Sequence, residues 1–267
     1  MSLAAVFDSA GTLMKTVRAV FSVKEQAIRH DAETTLLVFE DKDRSLVLLN
    51  AGYTDIFRRT EDLPLSAWIA EQNISYAVSC GKADSAFAKS VLQEENTVSL
   101  SNLQDTARAC LQEAEKECEV FAMNTGAIIN SRLSAVEYLV AAAGYPFPSV
   151  AELMNALQQR GVAVYIASGD RQEKLEAAGE LLGIQKSHVF GAASPERKAE
   201  VVRNLQEEFD TVIMTGDAVN DLPAFRQADY AVLTLQQRGR RPDILFDAVD
   251  EVIEDIWDVE KIAGRLA

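Results

Sequence analysis

Residues 3–7, LAAVF, are apolar without a break, and they end on a single carboxylate, Asp8, followed at once by the small segment Ser9-Ala10-Gly11-Thr12. An unbroken apolar run of that length predicts a short strand buried on both faces, with a flexible turn behind it. In the second half of the chain such runs recur in alternation with helical patterning. VAELMNALQQRG (150–161) spaces its apolar residues three and four apart and stops at Gly161, and VAVYIAS (162–168) follows as a continuous apolar run. Helix gives way to strand. RQEKLEAAGELLG (171–183) predicts the next helix, HVFGA (188–192) a short strand, PERKAEVVRNLQEEF (195–209) a helix opened by Pro195, and DTVIMTGD (210–217) another buried strand. DLPAFRQA (221–228) and YAVLT (230–234) add a short helix and one more strand. Strands alternating with helices predict an α/β fold, a Rossmann-like parallel sheet with helices on both faces.

Residues 15–143 break this rhythm. TTLLVFE (34–40) and RSLVLLN (44–50) flank the polar DKD and predict a hairpin; a helix around LSAWIAEQN (65–73), a strand at ISYAVSC (74–80) and a helix at SNLQDTARACLQEAEKE (101–117) follow. The pattern predicts an inserted α+β unit of roughly 130 residues, a common domain size, with the parallel core assembled from 1–14 and 144–267. VEYLVAAAG (136–144), among the longest apolar runs, is far too short to cross a bilayer, and the N-terminus carries no basic segment ahead of an apolar one, so no signal peptide is expected.

Composition narrows the function classes. Hydrophobic residues make up 48% with 6 Pro and 13 Gly, which describes a globular chain without low-complexity tracts. Cys80, Cys110 and Cys118 form no CxxC pair and are odd in number, as expected of reduced thiols in a cytoplasmic protein. His30 and His188 are too few and too far apart for a histidine metal site. A formal charge of −15 opposes general nucleic-acid binding, so phosphate held by this chain needs local positive charge or a metal ion. No nucleic-acid or membrane partner is expected, and the oligomeric state is left open.

Parallel strands end on one side of their sheet, so residues just past those ends share a crevice however far apart they lie in sequence. Four such places carry polar groups: Asp8; Ser168 in ASGD; Lys198 in SPERK; and Asp217 with Asp221 in GDAVND. Carboxylates gathered there suit Mg²⁺, a hard cation that takes oxygen ligands and keeps waters for a phosphoryl oxygen. A lysine and a serine hydroxyl complete a phosphate cradle. Taken one at a time, a residue such as Lys198 is more often a solvated helix residue, and Ser168 could equally serve as a helix cap; it is their joint order that carries the chemistry.

In that order DSAGTL, ASGD, SPERK and GDAVND resemble the four motifs of the haloacid dehalogenase superfamily of phosphoryl-transfer enzymes. Within it, DSAGTL and GDAVNDLPAFRQAD are most similar to the phosphorylation domain of P-type ATPases. The likeness covers roughly residues 3–15 and 146–235 and leaves out the insert, whose place between the first and second motifs implies a cap or substrate-selecting domain over 15–143. The resemblance implies Asp8 as the nucleophile that becomes an aspartyl-phosphate, and Ser168, Gly169 and Lys198 as holders of the phosphoryl oxygens. Thr12 and Asn220 would support them, and Mg²⁺ would sit at Asp8, the Ala10 carbonyl, Asp217 and Asp221. The substrate would be a small phosphorylated molecule, with nucleotides among the candidates.

One departure stands out. Most phosphatases of that superfamily carry a second aspartate two residues after the nucleophile, where this chain has Ala10; general acid–base help of that kind is worth roughly 10²–10⁴-fold. Phosphonoacetaldehyde hydrolases also have Ala there, but usually with Arg in the third motif, against Lys198 here. The alternatives to a Mg²⁺-dependent phosphohydrolase are a catalytically weak phosphate or nucleotide binder, a regulatory protein, or a phosphonatase-type hydrolase. The basic stretch RGRRPD (238–243) is expected as a surface loop rather than a contact to an anionic ligand.

Overall fold

The first strand, β1 (Leu3–Phe7), is buried at every position of the computed structural model, which describes residues 2–30, 32–94, 97–114 and 122–267. After it the chain forms β2 (Met14–Ser22), β3 (Ala27–Arg29), α1 (Thr34–Glu40), β4 (Arg44–Leu49), α2 (Tyr53–Phe57), α3 (Leu65–Glu71), β5 (Tyr76–Gly81), α4 (Ser85–Glu94), α5 (Leu100–Ala114), β6 (Ala122–Asn130) and β7 (Ala135–Pro146). It continues with α6 (Val150–Gln159), β8 (Ala163–Ala167), α7 (Gln172–Leu181), β9 (Val189–Phe190), α8 (Pro195–Leu205), β10 (Thr211–Gly216), α9 (Leu222–Gln227), β11 (Tyr230–Thr234), α10 (Asp243–Phe246), β12 (Glu251–Ile253) and α11 (Asp258–Leu266). By packing, these elements divide into two compact units, Met1–Lys15 with Pro146–Ala267, and Thr16–Tyr145.

In the first unit six strands run in the order β12-β11-β10-β1-β8-β9, and every pairing is parallel. The α/β fold class expected from the alternating pattern is borne out. Side chains of β1 alternate between two layers. Leu3, Ala5 and Phe7 join a core with Leu153, Met154 and Leu157 of α6 and Val259 and Ile262 of α11; Ala4 and Val6 pack with Val201, Val202 and Leu205 of α8 and with Phe225 of α9. Burial from both sides is why the strand reads as an unbroken apolar run.

The second unit is built on an antiparallel sheet in the order β3-β2-β7-β6-β4-β5. The hairpin expected at 34–50 does not form. Residues 34–40 are helical, because both edges of β4 are occupied by β5 and β6 and no ladder remains for a third partner. α5 turns Leu103, Ala107, Cys110 and Ala114 inward at helical spacing. The remainder of the helix expected at 101–117, and Cys118, lie outside the described residues. Cys80 and Cys110 are buried. Among the described residues no helix is long and apolar enough to cross a membrane.

Candidate active site

Phe7 stands opposite Ile166 of β8 and Thr215 of β10, and the Asp8 amide donates to the Thr215 carbonyl at 2.9 Å, so the three central strands end nearly level. The residues just beyond them therefore share the crevice at the carboxyl edge, all within the first unit. Behind Asp8 the chain turns sharply: the Ser9 carbonyl accepts from the amides of Thr12, Leu13 and Met14 at 3.2, 2.9 and 2.8 Å. Gly11 makes that turn possible in two ways. Its φ of +86° suits glycine, and a Cβ there would lie 2.1 Å from Asp217 Oδ2. Gly216 has a similar role under the neighbouring loop, where a Cβ would lie 2.4 Å from Asp221 Oδ2.

Asp8, Asp217 and Asp221 are all buried and each offers one oxygen within 4.8 Å of the others. Lys198 bridges two of them, with Nζ 2.6 Å from Asp8 Oδ1 and 2.7 Å from Asp221 Oδ1. It reaches them from the first turn of α8, whose start is fixed by Pro195 and by Ser194 Oγ accepting from the Arg197 amide. At 0% exposure its ammonium is held in the interior by these two carboxylates. Burial pushes its pKa down, but Asp221 and Asp8 together pull it up, and the net direction is upward, so Lys198 stays charged. For Asp8 burial is also the largest influence; it raises the carboxyl to about 6, against the downward pull of Lys198. The remaining oxygen of Asp221 accepts from the amides of Asp217 and Ala218 at 3.1 and 3.2 Å, which shapes the loop after β10.

The other predicted positions fall around this cluster. Ser168 follows β8 directly, is 2% exposed, and its Oγ accepts from the Asp170 amide at 3.3 Å; Gly169 is the next residue of that loop. Ala10 lies in the turn after Asp8, bridged to Met14. Thr12 Oγ1 and Asn220 Oδ1 are buried with no hydrogen-bond partner among the described residues. One residue of the crevice was missed. Arg241, expected on a surface loop, has a side chain only 4% exposed and places Nη2 2.8 Å from Asp217 Oδ2. Arg238 and Arg240 are exposed as expected.

The model of the family described as haloacid dehalogenase-like hydrolase matches residues 3–229. The chain belongs to that family. Among haloacid dehalogenase-like relatives, a soluble P-type ATPase-like phosphatase of Methanocaldococcus jannaschii is 30% identical over 269 residues, covering 100% of this chain and 94% of that one. The probable copper-importing P-type ATPase A of Enterococcus hirae is 36% identical over 99 residues, 37% of this chain but only 13% of the pump. A solved catalytic domain of the CPx-ATPase CopB aligns over 98% of this chain and 88% of its own with 16% identity and a TM-score of 0.46. Hydrolases of this family generally work with a divalent metal, and the donors here fit one: three buried carboxylates gathered within 4.8 Å form an all-oxygen set suited to a hard cation, with the orphaned Thr12 and Asn220 oxygens nearby in the sequence motifs.

Proposed function

We propose that the protein is a Mg²⁺-dependent phosphohydrolase that acts through an aspartyl-phosphate on Asp8. Support comes above all from one observation: the Asp8 carboxylate is buried at the end of the central strand, 2.6 Å from the Lys198 ammonium and inside the triad with Asp217 and Asp221. A carboxylate is a weak nucleophile and gains from a partner that neutralises the incoming phosphoryl oxygens. Asp8, Asp217 and the Ala10 carbonyl would hold Mg²⁺, with Asp221 fixing the loop beneath. Bound there, the ion supplies charge neutralisation for the phosphoryl group.

The residues divide the work as follows. Asp8 attacks phosphorus, and the bond from phosphorus to the leaving oxygen breaks with its electron pair going to that oxygen. Lys198, with Ser168 and the Gly169 loop, holds the three phosphoryl oxygens, while Thr12 and Asn220 supply buried hydrogen-bonding capacity beside them. Water then attacks the same phosphorus, the bond to the Asp8 oxygen breaks with its electron pair returning to the carboxylate, and inorganic phosphate leaves as the water's proton passes to solvent or phosphate. Ala10 offers no proton to the leaving oxygen, so acyl and aryl phosphates, which depart unaided, are the favoured class over alkyl phosphates. The substrate is a small phosphorylated molecule, nucleotides included, and the setting is cytoplasmic; the charge of −15 opposes nucleic acid as a partner.

The test is acid-quenched labelling. Wild-type protein incubated with Mg²⁺ and a labelled acyl phosphate should retain acid-stable, hydroxylamine-sensitive phosphate. Asp8→Asn, folded by circular dichroism, should retain none and show no turnover, because an amide keeps the shape but not the nucleophile. Turnover at the wild-type rate by Asp8→Asn would end the proposal.

A further inference from the structure

The basic stretch 238–241 plays no part in the chemistry proposed above, yet its last residue is built into the same crevice. Arg241 is delivered there by a loop pinned at both sides. Gln236 Nε2 donates to the Thr12 carbonyl at 2.7 Å, its Oε1 accepts from the Ile256 amide at 3.1 Å, and its own amide donates to Thr234 Oγ1 at 3.3 Å. Arg241 Nη2 donates both to Asp217 Oδ2 at 2.8 Å and to the Gln237 carbonyl at 3.0 Å. Pro242, at the N-cap position of α10, then restricts the backbone where the loop exits. A guanidinium so anchored is a designed neighbour of the carboxylate, unlike a solvated side chain that falls against it. Asp217 is also the acid of the triad that Lys198 leaves unbridged, so each of the three carboxylates has a cation against it.

We propose that Arg241 is an internal counter-ion that competes with the divalent cation for Asp217, and that its guanidinium sets how tightly the site holds metal. The inference rests on the metal site proposed above and deepens it. An ion arriving at the triad meets the guanidinium as a like charge, in a buried setting where water screens weakly. Without an ion, the same guanidinium offsets charge in a buried acidic cluster and secures the loop. One residue thus acts with opposite sign in the two states: its removal should destabilise the metal-free protein and strengthen metal binding. A residue that merely positioned Asp217 would, on removal, weaken both.

The experiment compares wild type, Arg241→Gln and Arg241→Lys after stripping with EDTA. Mg²⁺ and Mn²⁺ are titrated by calorimetry at fixed pH and ionic strength, and thermal unfolding is followed with and without metal. Arg241→Gln keeps a donor and removes the charge; it should bind both ions about tenfold more tightly or better, a change of about 1.4 kcal/mol, with a lower metal-free Tm and a larger shift on adding metal. Arg241→Lys, which retains the charge, should stay within about threefold of wild type. If Arg241→Gln folds only with metal, it is refolded with Mn²⁺ and the ion withdrawn by graded chelator competition, which reads the same tightening. Unchanged or weaker binding by Arg241→Gln beside a wild type that binds normally overturns the counter-ion role and leaves the metal site standing. No binding by any of the three proteins overturns both.

Discussion

Asp8 is asked to be buried and to be charged, and the two conflict. Burial lifts its carboxyl to about 6, with Lys198 limiting the rise. A carboxyl whose pKa is raised on folding contributes stability that is complete below its unfolded value and is lost as pH rises through the folded one. The metal-free protein should therefore lose about 1 kcal/mol through this group between pH 5 and pH 7.5. Urea denaturation of EDTA-treated wild type and Asp8→Asn at the two pH values isolates it: the wild type should decline relative to the variant, and parallel pH dependence would mean that Asp8 ionises without cost. The convergence of Asp8, Lys198, Asp217 and Asp221 was legible in the sequence because each follows a recognisable strand or opens a recognisable helix, and parallel strands end together. Arg241 was not legible. Three arginines around a glycine describe an exposed loop, as Arg238 and Arg240 do form, and the burial of the third depends on Gln236 reaching the Thr12 carbonyl, a contact no local pattern encodes.

Among elements, the turn after β1 and the loop after β10 are so close that a hydrogen atom is the only side chain Gly11 can carry. Gly11→Ala would place a methyl 2.1 Å from Asp217 Oδ2 in a backbone at φ +86°. The left-handed backbone alone costs about 1 kcal/mol and the displaced carboxylate adds to it, so a loss of about 2–4 kcal/mol is expected, with weaker metal binding. Chemical denaturation and a metal titration of the same sample check it; a variant of wild-type stability would show that the turn has room to yield. Element types were read correctly wherever periodicity met a clear stop, as for α6 ending before Gly161 and α8 opening at Pro195. The misreadings share a cause in tertiary pairing. Residues 34–40 are apolar and β-branched enough for a strand but find no free edge at β4. The long β7 passed unrecognised because its alanines have little strand preference; Ala141 and Ala143 are small so that Ala107, Cys110 and Ala114 of α5 can approach the sheet.

For the whole molecule, the two units differ in how their chain is assembled. Thr16–Tyr145 is one continuous segment, whereas the unit that carries the buried carboxylate cluster is stitched from both sides of it. β1 has as its sheet neighbours β8 and β10, through residues 163–166 and 211–215. Its five buried residues are thus made well before the strands that cover their edges. At roughly 5–20 residues per second, β1 waits about 10 s or more for its second neighbour to leave the ribosome. In that interval the intervening segment can complete its own sheet. A nascent chain stalled with residues through Tyr145 emerged should yield a protease-resistant fragment near 16–145, while Leu3–Phe7 remains cleavable. Protection of both would mean that the first strand finds a temporary shelter. Until both neighbours have been made, then, Asp8 hangs on an unpaired apolar strand, the kind of short extended apolar segment that a chaperone binds.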